Sequence, residues 1–486
     1  MTVAGLFADI RYLLPELFLI GTGFAIVLFD FLCRAKQRDL GIVSLCAFAI
    51  AAGLALYVNK LPFGGEIAGR ELFFGMISND EFSVSLRLLI YAVMFITVLL
   101  SMGERFSCAG DVTEYYALLI FQSVGLAGLV LSDNLLMVYL SLELISLSSY
   151  ILASLTKRDF FSSEASLKYF LFGALSTGIL LFGVSMVYGL TGSLDLDVIF
   201  AQATAGAVPQ GVLYVAGVFL LAGLGFKIAM VPFHMWAPDV YQGAPTPITA
   251  LLSVGPKIAA FAALLRIFDK GIGNFGLNWF DLVGVLAVLT MTAGNVIAIS
   301  QNNVKRMLAY SSIAQAGYIL IGFAVPTKIG ETGVIVYLLA YAFMNLGAFA
   351  VVIAFINSLG SELITDFKGL SQKAPAACFV LTVFLLSLAG IPPTAGFLGK
   401  FYVFSAAIDA GKIYLAVAGV INSVIALYYY VRVVKCMYMD SAEREAVVVV
   451  HPALAAAMII SLAGTLAVGI CPEPFINAAV SAVKIF

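Results

Sequence analysis

Long apolar runs recur along the whole of this 486-residue sequence and restrict its possible folds more than any other feature. They are 17 to 34 residues long, and a helix of about 17–25 residues is long enough to cross a bilayer. The chain is 62% hydrophobic and 11% charged, whereas soluble domains average about 25% charged residues. We therefore predict an all-α polytopic membrane protein with about 14 transmembrane helices and no soluble catalytic domain. The runs occupy residues 12–32, 40–58, 82–102, 115–131, 135–155, 167–190, 212–242, 248–268, 280–299, 307–325, 332–357, 377–410, 413–439 and 452–470.

The remaining composition argues against several kinds of site. A net charge of −2 gives no electrostatic footprint for nucleic acid. The six cysteines form no C-x-x-C pair, so we interpret them as buried small hydrophobic residues rather than ligands of zinc or an iron–sulfur cluster. His234 and His451, the only histidines, are a poor pair of haem ligands because they lie so far apart in the sequence. We predict no metal and no cofactor in this chain.

Basic residues between the runs indicate the orientation in the membrane. One set of alternate loops contains thirteen Lys and Arg residues and the opposite set contains eight. Because the more basic loops usually face the cytoplasm, both termini should face away from it. The first run lacks a basic segment before it, so we predict a retained helix rather than a cleaved signal.

Five basic residues in the apolar runs are not assigned to a loop, Glu143 is the one acidic residue deep inside a run, and the depth of each of the six decides how informative it is. A charge at the bilayer centre costs at least about 2.5 kcal/mol and usually marks an ion or proton path. Lys257 and Glu143 are central, although a protonated carboxyl tied into helix packing is the alternative for Glu143. Lys168 and Arg87 lie nearer the ends of their runs, where snorkelling to the interface competes with a functional role and is favoured for Arg87. The six are Arg87, Glu143, Lys168, Lys227, Lys257 and Lys400.

Two runs, 212–242 and 377–410, are too long for one straight span. Each contains proline near its middle and a lysine beside it, namely Lys227 in the first and Lys400 in the second. Simple proline kinks are the alternative, but an interrupted helix in each half of a transporter is typical of its ion site. The breaks fall in the seventh and twelfth spans, which predicts two five-helix units, spans 4–8 and 9–13. An odd number of helices per unit makes the second unit inverted.

The predicted organisation is therefore three N-terminal transmembrane helices (1–112), a first five-helix repeat (113–270), an inverted repeat (271–440) and a C-terminal helix (441–486). Burial disfavours the charged form of a lysine and a nearby carboxylate favours it, so such groups can exchange protons. We predict a mid-membrane proton relay formed by Glu143, Lys168, Lys227, His234, Lys257 and Lys400. Nucleotide sites are not predicted, because Gly223-Leu-Gly225 and Gly399-Lys400 lack the rest of their motifs.

Three segments carry a resemblance to a known family. They read KIAMVPFHMWAPDVYQGAPTP (227–247), NVKRMLAYSSIAQAGY (303–318) and GIPPTAGFLGKF (390–401). They resemble the antiporter-like membrane subunits of respiratory complex I, and the similarity extends over nearly the whole chain. The sequence looks most like the smallest of the three such subunits. No long lateral helix follows residue 470, and Lys400 stands where the middle subunit has glutamate.

The resemblance implies both a function and roles for these residues. Glu143, Lys227, Lys257 and Lys400 match the glutamate of span five and the lysines of spans seven, eight and twelve, and Lys168 matches a lysine that modulates Lys227. The implied function is proton translocation in the cell inner membrane, coupled to electron transfer from NADH to quinone in partner subunits. FMN, iron–sulfur clusters and quinone are expected in those partners. An adjacent antiporter-like subunit, small membrane subunits and lipid are the expected neighbours.

Two alternatives remain open at this point. The same fold suits a cation/proton antiporter without redox partners. The chain could also be a passive spacer, which predicts normal pumping after replacement of Lys227 or Glu143 by alanine.

Overall fold

The computed structural model describes residues 9–33, 37–59, 69–104, 112–156, 159–272, 279–441 and 447–485, and most of them are helical. The helices of the first half are α1 (Leu14–Cys33), α2 (Gln37–Val58), α3 (Glu81–Gly103), α4 (Val112–Leu131), α5 (Leu135–Ala153), α6 (Phe160–Thr191), α7 (Leu196–Thr204), α8 (Gln210–Ile228), α9 (Trp236–Gly243) and α10 (Thr246–Leu265). Those of the second half are α11 (Trp279–Ile299), α12 (Val304–Phe323), α13 (Lys328–Leu359), α14 (Pro375–Ala389), α15 (Ala395–Asp409), α16 (Ile413–Tyr438), α17 (Pro452–Ile470) and α18 (Glu473–Val483).

Twelve helices within the described residues are long and apolar enough to cross a membrane. The two other predicted spans correspond to α12, with 20 residues, and to the consecutive pair α14 and α15, with 15 residues each. The predicted all-α polytopic membrane fold is confirmed.

Some elements were not anticipated from the apolar runs. Helix α6 begins at Phe160 rather than at residue 167, and it is as long as α13, at 32 residues each. The short helices α7 and α18 follow spanning helices. A small antiparallel hairpin, β1 (Arg70–Leu72) and β2 (Ile77–Asn79), precedes α3. Helices α7 and α18 and the hairpin are too short to produce an apolar run of spanning length.

Helices α10 and α13 form the centre of the bundle. Every residue of α10 is buried, and α10 packs against α3, α4, α8, α12 and α13. Helix α13 packs in addition against α14, α15, α17 and α18. Large apolar side chains are exposed on the outer surfaces of α1, α6 and α16, as expected for helices that face lipid or neighbouring membrane subunits.

Both predicted breaks are present, and each begins with a left-handed residue. Helix α8 ends before Ala229, which has φ 57°, and α14 ends before Gly390, which has φ 92°. The chain then turns and resumes as α9 and α15. A Cβ atom on Gly396 would lie 1.8 Å from the carbonyl oxygen of Ser387, so only glycine allows α15 to start this close to the end of α14.

Two arginines differ from their predicted positions. The expected snorkelling of Arg87 is wrong, because the side chain is fully buried and its Nη2 lies 2.7 Å from Oε2 of Glu16. Arg266 is one of the eight basic residues assigned from the sequence to the less basic loops. It is also fully buried, and its Nη2 donates to both carboxylate oxygens of Asp80 at 2.9 and 2.7 Å. In each case the ion pair replaces the solvation lost on burial.

Asp80 caps α3 as well as binding Arg266, since its Oδ1 accepts from the backbone N–H of Ser83 at 2.7 Å. Burial opposes ionisation of Asp80, but Arg266 and the Ser83 N–H outweigh it and lower the pKa of this carboxyl. The beginning of α3 is therefore fixed to the end of α10.

The cysteine and orientation predictions have mixed outcomes. Cys378 and Cys436 are buried as expected, but Cys46 and Cys471 are exposed, because a small apolar side chain is equally compatible with an outer surface in a membrane protein. The side chains of Cys33 and Cys108 lie outside the described residues. So do several of the basic residues used to predict orientation: Arg34, Lys36, Lys60, Arg105, Lys157, Arg158 and Arg444.

Candidate functional site: a line of buried lysines

Lys227 lies in the last turn of α8, surrounded by aromatic rings. Its Nζ is 5.5 to 5.8 Å from the ring centroids of Tyr150, Tyr169 and Phe226. Within the described part of the chain this buried amine has no hydrogen-bond partner. The ammonium is therefore held mainly by cation–π attraction, which is stronger for a desolvated cation.

The carbonyl groups released at this first break bind other donors. The backbone N–H groups of Ala229 and Met230 donate to Phe226 and Gly225 at 3.0 and 2.8 Å. The indole Nε1 of Trp236, on α9, also donates to the carbonyl oxygen of Phe226 at 3.0 Å. Trp236 stacks on Tyr169 with ring centroids 4.5 Å apart.

Glu143 and His234 are the other predicted relay residues of the first half. Glu143 is half-buried near the middle of α5, and its charge is close enough to act on Lys227 electrostatically. His234 lies in the break between α8 and α9. Its Nδ1 is buried and, among the described residues, has no hydrogen-bond partner.

Lys257 is completely buried in α10, one residue after Pro256. Its Nζ donates to both the carbonyl oxygen and the Oγ of Ser312 on α12, at 2.5 Å each. The described residues place no carboxylate in an ion pair with Lys257. Burial makes the charged form of such an amine costly, so its proton can be transferred to a suitable acceptor.

Lys400, near the start of α15, is bound to the end of α14. Its Nζ donates to the carbonyl oxygens of Ala389 at 2.8 Å and Leu388 at 3.2 Å, and lies 4.3 Å from the ring centroid of Tyr318. The last carbonyls of a helix lack intrahelical partners and form the negative end of its dipole. The second break therefore provides a cation site for its lysine.

A hydrogen-bond network extends from Lys400 to the neighbourhood of Lys257. Gln315 Nε2 donates to the carbonyl oxygen of Leu388, which also accepts from Lys400, at 2.9 Å, and to the hydroxyl of Tyr430 at 3.3 Å. That hydroxyl is 2.5 Å from Oγ of Ser311, the residue before Ser312. Only the step from Ser311 to Ser312 follows the backbone rather than a hydrogen bond.

Lys168 lies apart from these residues. Its Nζ is 2.8 Å from both Glu164 Oε1 and Asp239 Oδ2, and 39% of its side chain is exposed. Asp239 Oδ1 also accepts from Arg306 at 2.7 Å. Lys168 is therefore bound to α9, the helix that follows the break after Lys227, and is not in contact with Lys227 itself.

Sequence reasoning did not identify Ser311, Ser312, Gln315 or Tyr430 as site residues. The first three lie within the segment 303–318 and are fully buried. Their signal was the spacing, because Ser311 and Ser312 precede Gln315 by four and three residues and so lie on the same side of α12 as Gln315. Isolated polar residues are tolerated in membrane helices for many reasons, so the pattern alone was not specific.

Across the described residues, no group of three or more His, Cys, Asp and Glu side chains could hold a metal ion. The buried lysines Lys227, Lys257 and Lys400 and the groups bonded to them, called the lysine line below, are instead amines, hydroxyls, an amide and carbonyl oxygens. Such groups can donate and accept protons but are not redox centres. The arrangement suits proton transfer along the middle of the bundle.

Comparisons with known proteins place this geometry in a family. Residues 132–426 match the family described as NADH:quinone oxidoreductase/Mrp antiporter, transmembrane. The chain belongs to this family. The matched region begins before α5 and ends within α16, so it contains all the lysines of the line.

Relatives within this family have similar lengths. The chain is 44% identical to NADH-quinone oxidoreductase subunit N 2 of Sorangium cellulosum, over 92% of each chain. It is 41% identical to subunit N of Trichlorobacter lovleyi, over 100% of this chain and 99% of the relative. A chain of respiratory complex I from Thermus thermophilus, solved with bound aureothin, superposes with a TM-score of 0.81 at 31% identity, covering 96% of this chain and 100% of the other. The predicted resemblance to the smallest antiporter-like subunit of complex I is confirmed.

Proposed function

We propose that this chain translocates protons as a membrane subunit of an NADH:quinone oxidoreductase. The observation that carries the proposal is the buried hydrogen-bond line between Lys257 and Lys400, and all of its residues except Tyr430 lie inside the region shared with the family. The names of the relatives support the redox enzyme, and their full-length coverage supports the same role here.

Each lysine has a defined part in this proposal. Lys227 binds a proton among the aromatic rings, and Glu143 adjusts its proton affinity electrostatically. Lys257 connects the two halves, and Lys400 exchanges protons at the end of the line. Lys168 acts on Lys227 indirectly, through Asp239 on the helix that follows the break. His234, in the same break, is proposed as a member of the relay near Lys227.

We propose further that the chain is organised as predicted, with repeats over 113–270 and 271–440 between the N-terminal helices (1–112) and the C-terminal helix (441–486). The paired breaks and the equal lengths of α6 and α13, the third helix of each unit, support this division. Residues 1–8, 34–36, 60–68, 105–111, 157–158, 273–278, 442–446 and 486 lie outside the described structure.

In the proposed complex this chain contributes no redox group. FMN, iron–sulfur clusters and quinone belong to partner subunits, and the neighbours are another antiporter-like subunit, small membrane subunits and lipid. The proposed location is the cell inner membrane, with both termini on the non-cytoplasmic side. The wide apolar outer surfaces of α6 and α16 support burial against lipid or partners.

The test is NADH-driven proton uptake by membrane vesicles that carry Lys227→Ala, with assembly checked on a native gel and quinone reduction measured in parallel. We expect a normally assembled complex with strongly reduced proton uptake. The matched control is Lys435→Ala, which removes a lysine side chain that is 61% exposed.

Other outcomes would replace the proposal. Normal pumping by assembled Lys227→Ala and Glu143→Ala complexes would favour the passive spacer. Sodium-for-proton exchange by wild-type chain that never associates with redox partners would favour the antiporter.

A further inference from the structure

A half-buried glutamate without an assigned role lies where α3 ends. Glu104 follows the last residue of α3, and its Oε1 accepts from the backbone N–H of Thr246 at 3.3 Å. Its Oε2 is shielded from solvent and has no hydrogen-bond partner in the described ranges. A buried carboxylate oxygen without a donor is costly, whereas a protonated carboxyl can itself donate.

Among the described residues, the charged and titratable groups near Glu104 are Lys305, Glu362 and Tyr115. Lys305 on α12 donates to the carbonyl oxygen of Ala244 at 2.9 Å and to Oε1 of Glu362 at 3.0 Å. Tyr115 on α4 is close enough to Glu104 to be affected by its charge. Burial raises the pKa of Glu104 to about 7, Lys305 and the Thr246 N–H oppose this shift, and Glu362 adds to it. Both protonation states of Glu104 are thus accessible at neutral pH.

A stripe of polar side chains leads from Glu104 into the membrane. Thr246, Thr249, Ser253 and Lys257 are three or four residues apart, so they share one face of α10. At 1.5 Å per residue, the stripe descends about 16 Å. All four residues are buried, although the surrounding helices are apolar.

Helix α13 adds polar atoms beside this stripe. Asn345 Nδ2 donates to Ser253 Oγ at 2.6 Å. In the described structure, Asn345 Oδ1 and the hydroxyl of Tyr341, one turn earlier, are buried and have no hydrogen-bond partner. A purely structural interface would leave few such groups unsatisfied, whereas a proton path requires donors and acceptors that can change partners.

We propose that Glu104 takes up protons at the membrane surface and delivers them along this stripe to Lys257. A proton from bulk water binds the Glu104 carboxylate, moves along the hydroxyl and amide groups of Thr249, Ser253 and Asn345, and binds the neutral amine of Lys257. Glu104 then returns to its ionised form. No electron or other reactant takes part. The inference rests on the proposed function, because it supplies protons to the same lysine line.

The test compares three variants of the complete complex in membrane vesicles: Glu104→Gln, Glu104→Asp and the matched control Glu114→Gln. Glu114 is an exposed carboxylate on α4. We expect assembled Glu104→Gln complex to lose about a hundredfold in NADH-driven proton uptake, the lower end of the effect of removing a positioned proton-transfer group. Glu104→Asp should retain most of the uptake, and Glu114→Gln should equal the wild type.

The pH profile separates proton transfer from a packing role. Wild-type uptake should decline as the pH rises through about 7, because less Glu104 is protonated there. This inflection should be absent from Glu104→Gln, whereas a packing defect would lower uptake equally at all pH values. If Glu104→Gln does not assemble, Ser253→Ala provides the second measurement, and it too should lower uptake.

Uptake and a pH profile in Glu104→Gln that match those of Glu114→Gln would overturn the inference. If Glu104→Gln fails to assemble, wild-type uptake in Ser253→Ala would overturn it. Lys227→Ala separates a failure of the proposed role of Glu104 from a failure of the proposed function. If Lys227→Ala stops pumping while Glu104→Gln does not, only the role of Glu104 fails. If wild-type vesicles take up no protons, the proposed function fails as well.

Discussion

At the two helix breaks, different donors bind the carbonyl groups at the end of the interrupted helix. Each break leaves carbonyl groups at the end of a helix without intrahelical partners. At the second break, Lys400 itself donates to the carbonyls of Leu388 and Ala389. At the first break, the indole of Trp236 donates to Phe226, and Lys227 remains among aromatic rings without a hydrogen bond to any described residue.

This difference separates the two halves of the lysine line chemically. From Lys257 to Lys400 the groups in contact are hydroxyls, an amide and carbonyls, so a proton has nearby acceptors. Around Lys227 the contacts are with ring faces, which attract a cation but do not accept a proton. Lys227 and Lys400 occupy similar positions beside a helix break, but only Lys400 belongs to a hydrogen-bonded half of the lysine line.

Removing the amine of Lys257, the junction between the two halves of the lysine line, should have the largest effect. We expect Lys257→Met to lower NADH-driven proton uptake by about a hundredfold or more in an assembled complex, because the amine that connects the halves is lost. The exposed Lys435→Met is the matched control. Comparable uptake in the two variants would show that protons bypass the junction.

Removing one hydroxyl from each half tests the comparison directly. Tyr430→Phe should lower uptake about tenfold, equivalent to about 1.4 kcal/mol, because the hydroxyl bonds both Ser311 and Gln315. Tyr169→Phe should have little effect, since its hydroxyl is buried but unpartnered among the described residues. Both are measured in the same vesicle assay. An equal loss in the two variants would contradict the distinction between the halves.

Changing the ring surface at Lys227 should have a smaller effect. Tyr150→Leu removes one of the three faces around Nζ, so we expect uptake to fall about threefold, within the range of one cation–π contact. Tyr150→Phe keeps the face and is the control. The prediction fails if the phenylalanine variant loses as much uptake as the leucine variant.

The smallest effect is expected at the exposed ion pairs of Lys168. Asp239→Asn removes one carboxylate from Lys168 and Arg306, but Glu164 remains beside Lys168. Because partly exposed ion pairs contribute only about 0–1 kcal/mol, uptake should change less than about threefold. A loss as large as that of Lys257→Met would place Lys168 inside the main proton path instead of beside it.

The sequence predicted the spans and both breaks well, because length, apolarity and proline act locally along the chain. It also predicted the burial of Lys227, Lys257 and Lys400, but not that of Lys305. It could not predict the partners of Arg87 and Arg266, since Glu16 and Asp80 are 71 and 186 residues away. Charged residues near the ends of apolar runs have two solutions, snorkelling or a distant ion pair, and only tertiary structure selects one.

The proton line illustrates the same limit. Lysine is conspicuous in a membrane helix because its burial is costly. Gln315 and Tyr430 are not, since uncharged polar side chains occur in many membrane helices, and the two residues are 115 positions apart. Their importance follows from a shared hydrogen bond that no local pattern contains.

Helices α6 and α13 are equally long but have different surroundings. With 32 residues each, they extend about 48 Å, well beyond the roughly 30 Å of a hydrocarbon core. Protein surrounds α13 on nearly all sides, whereas much of α6 is exposed. A change in bilayer thickness therefore alters the hydrophobic mismatch at α6 and its preferred tilt, while α13 is shielded. Since α6 carries Tyr169, the thickness of the membrane acts on a helix that contributes an aromatic ring to the surroundings of Lys227.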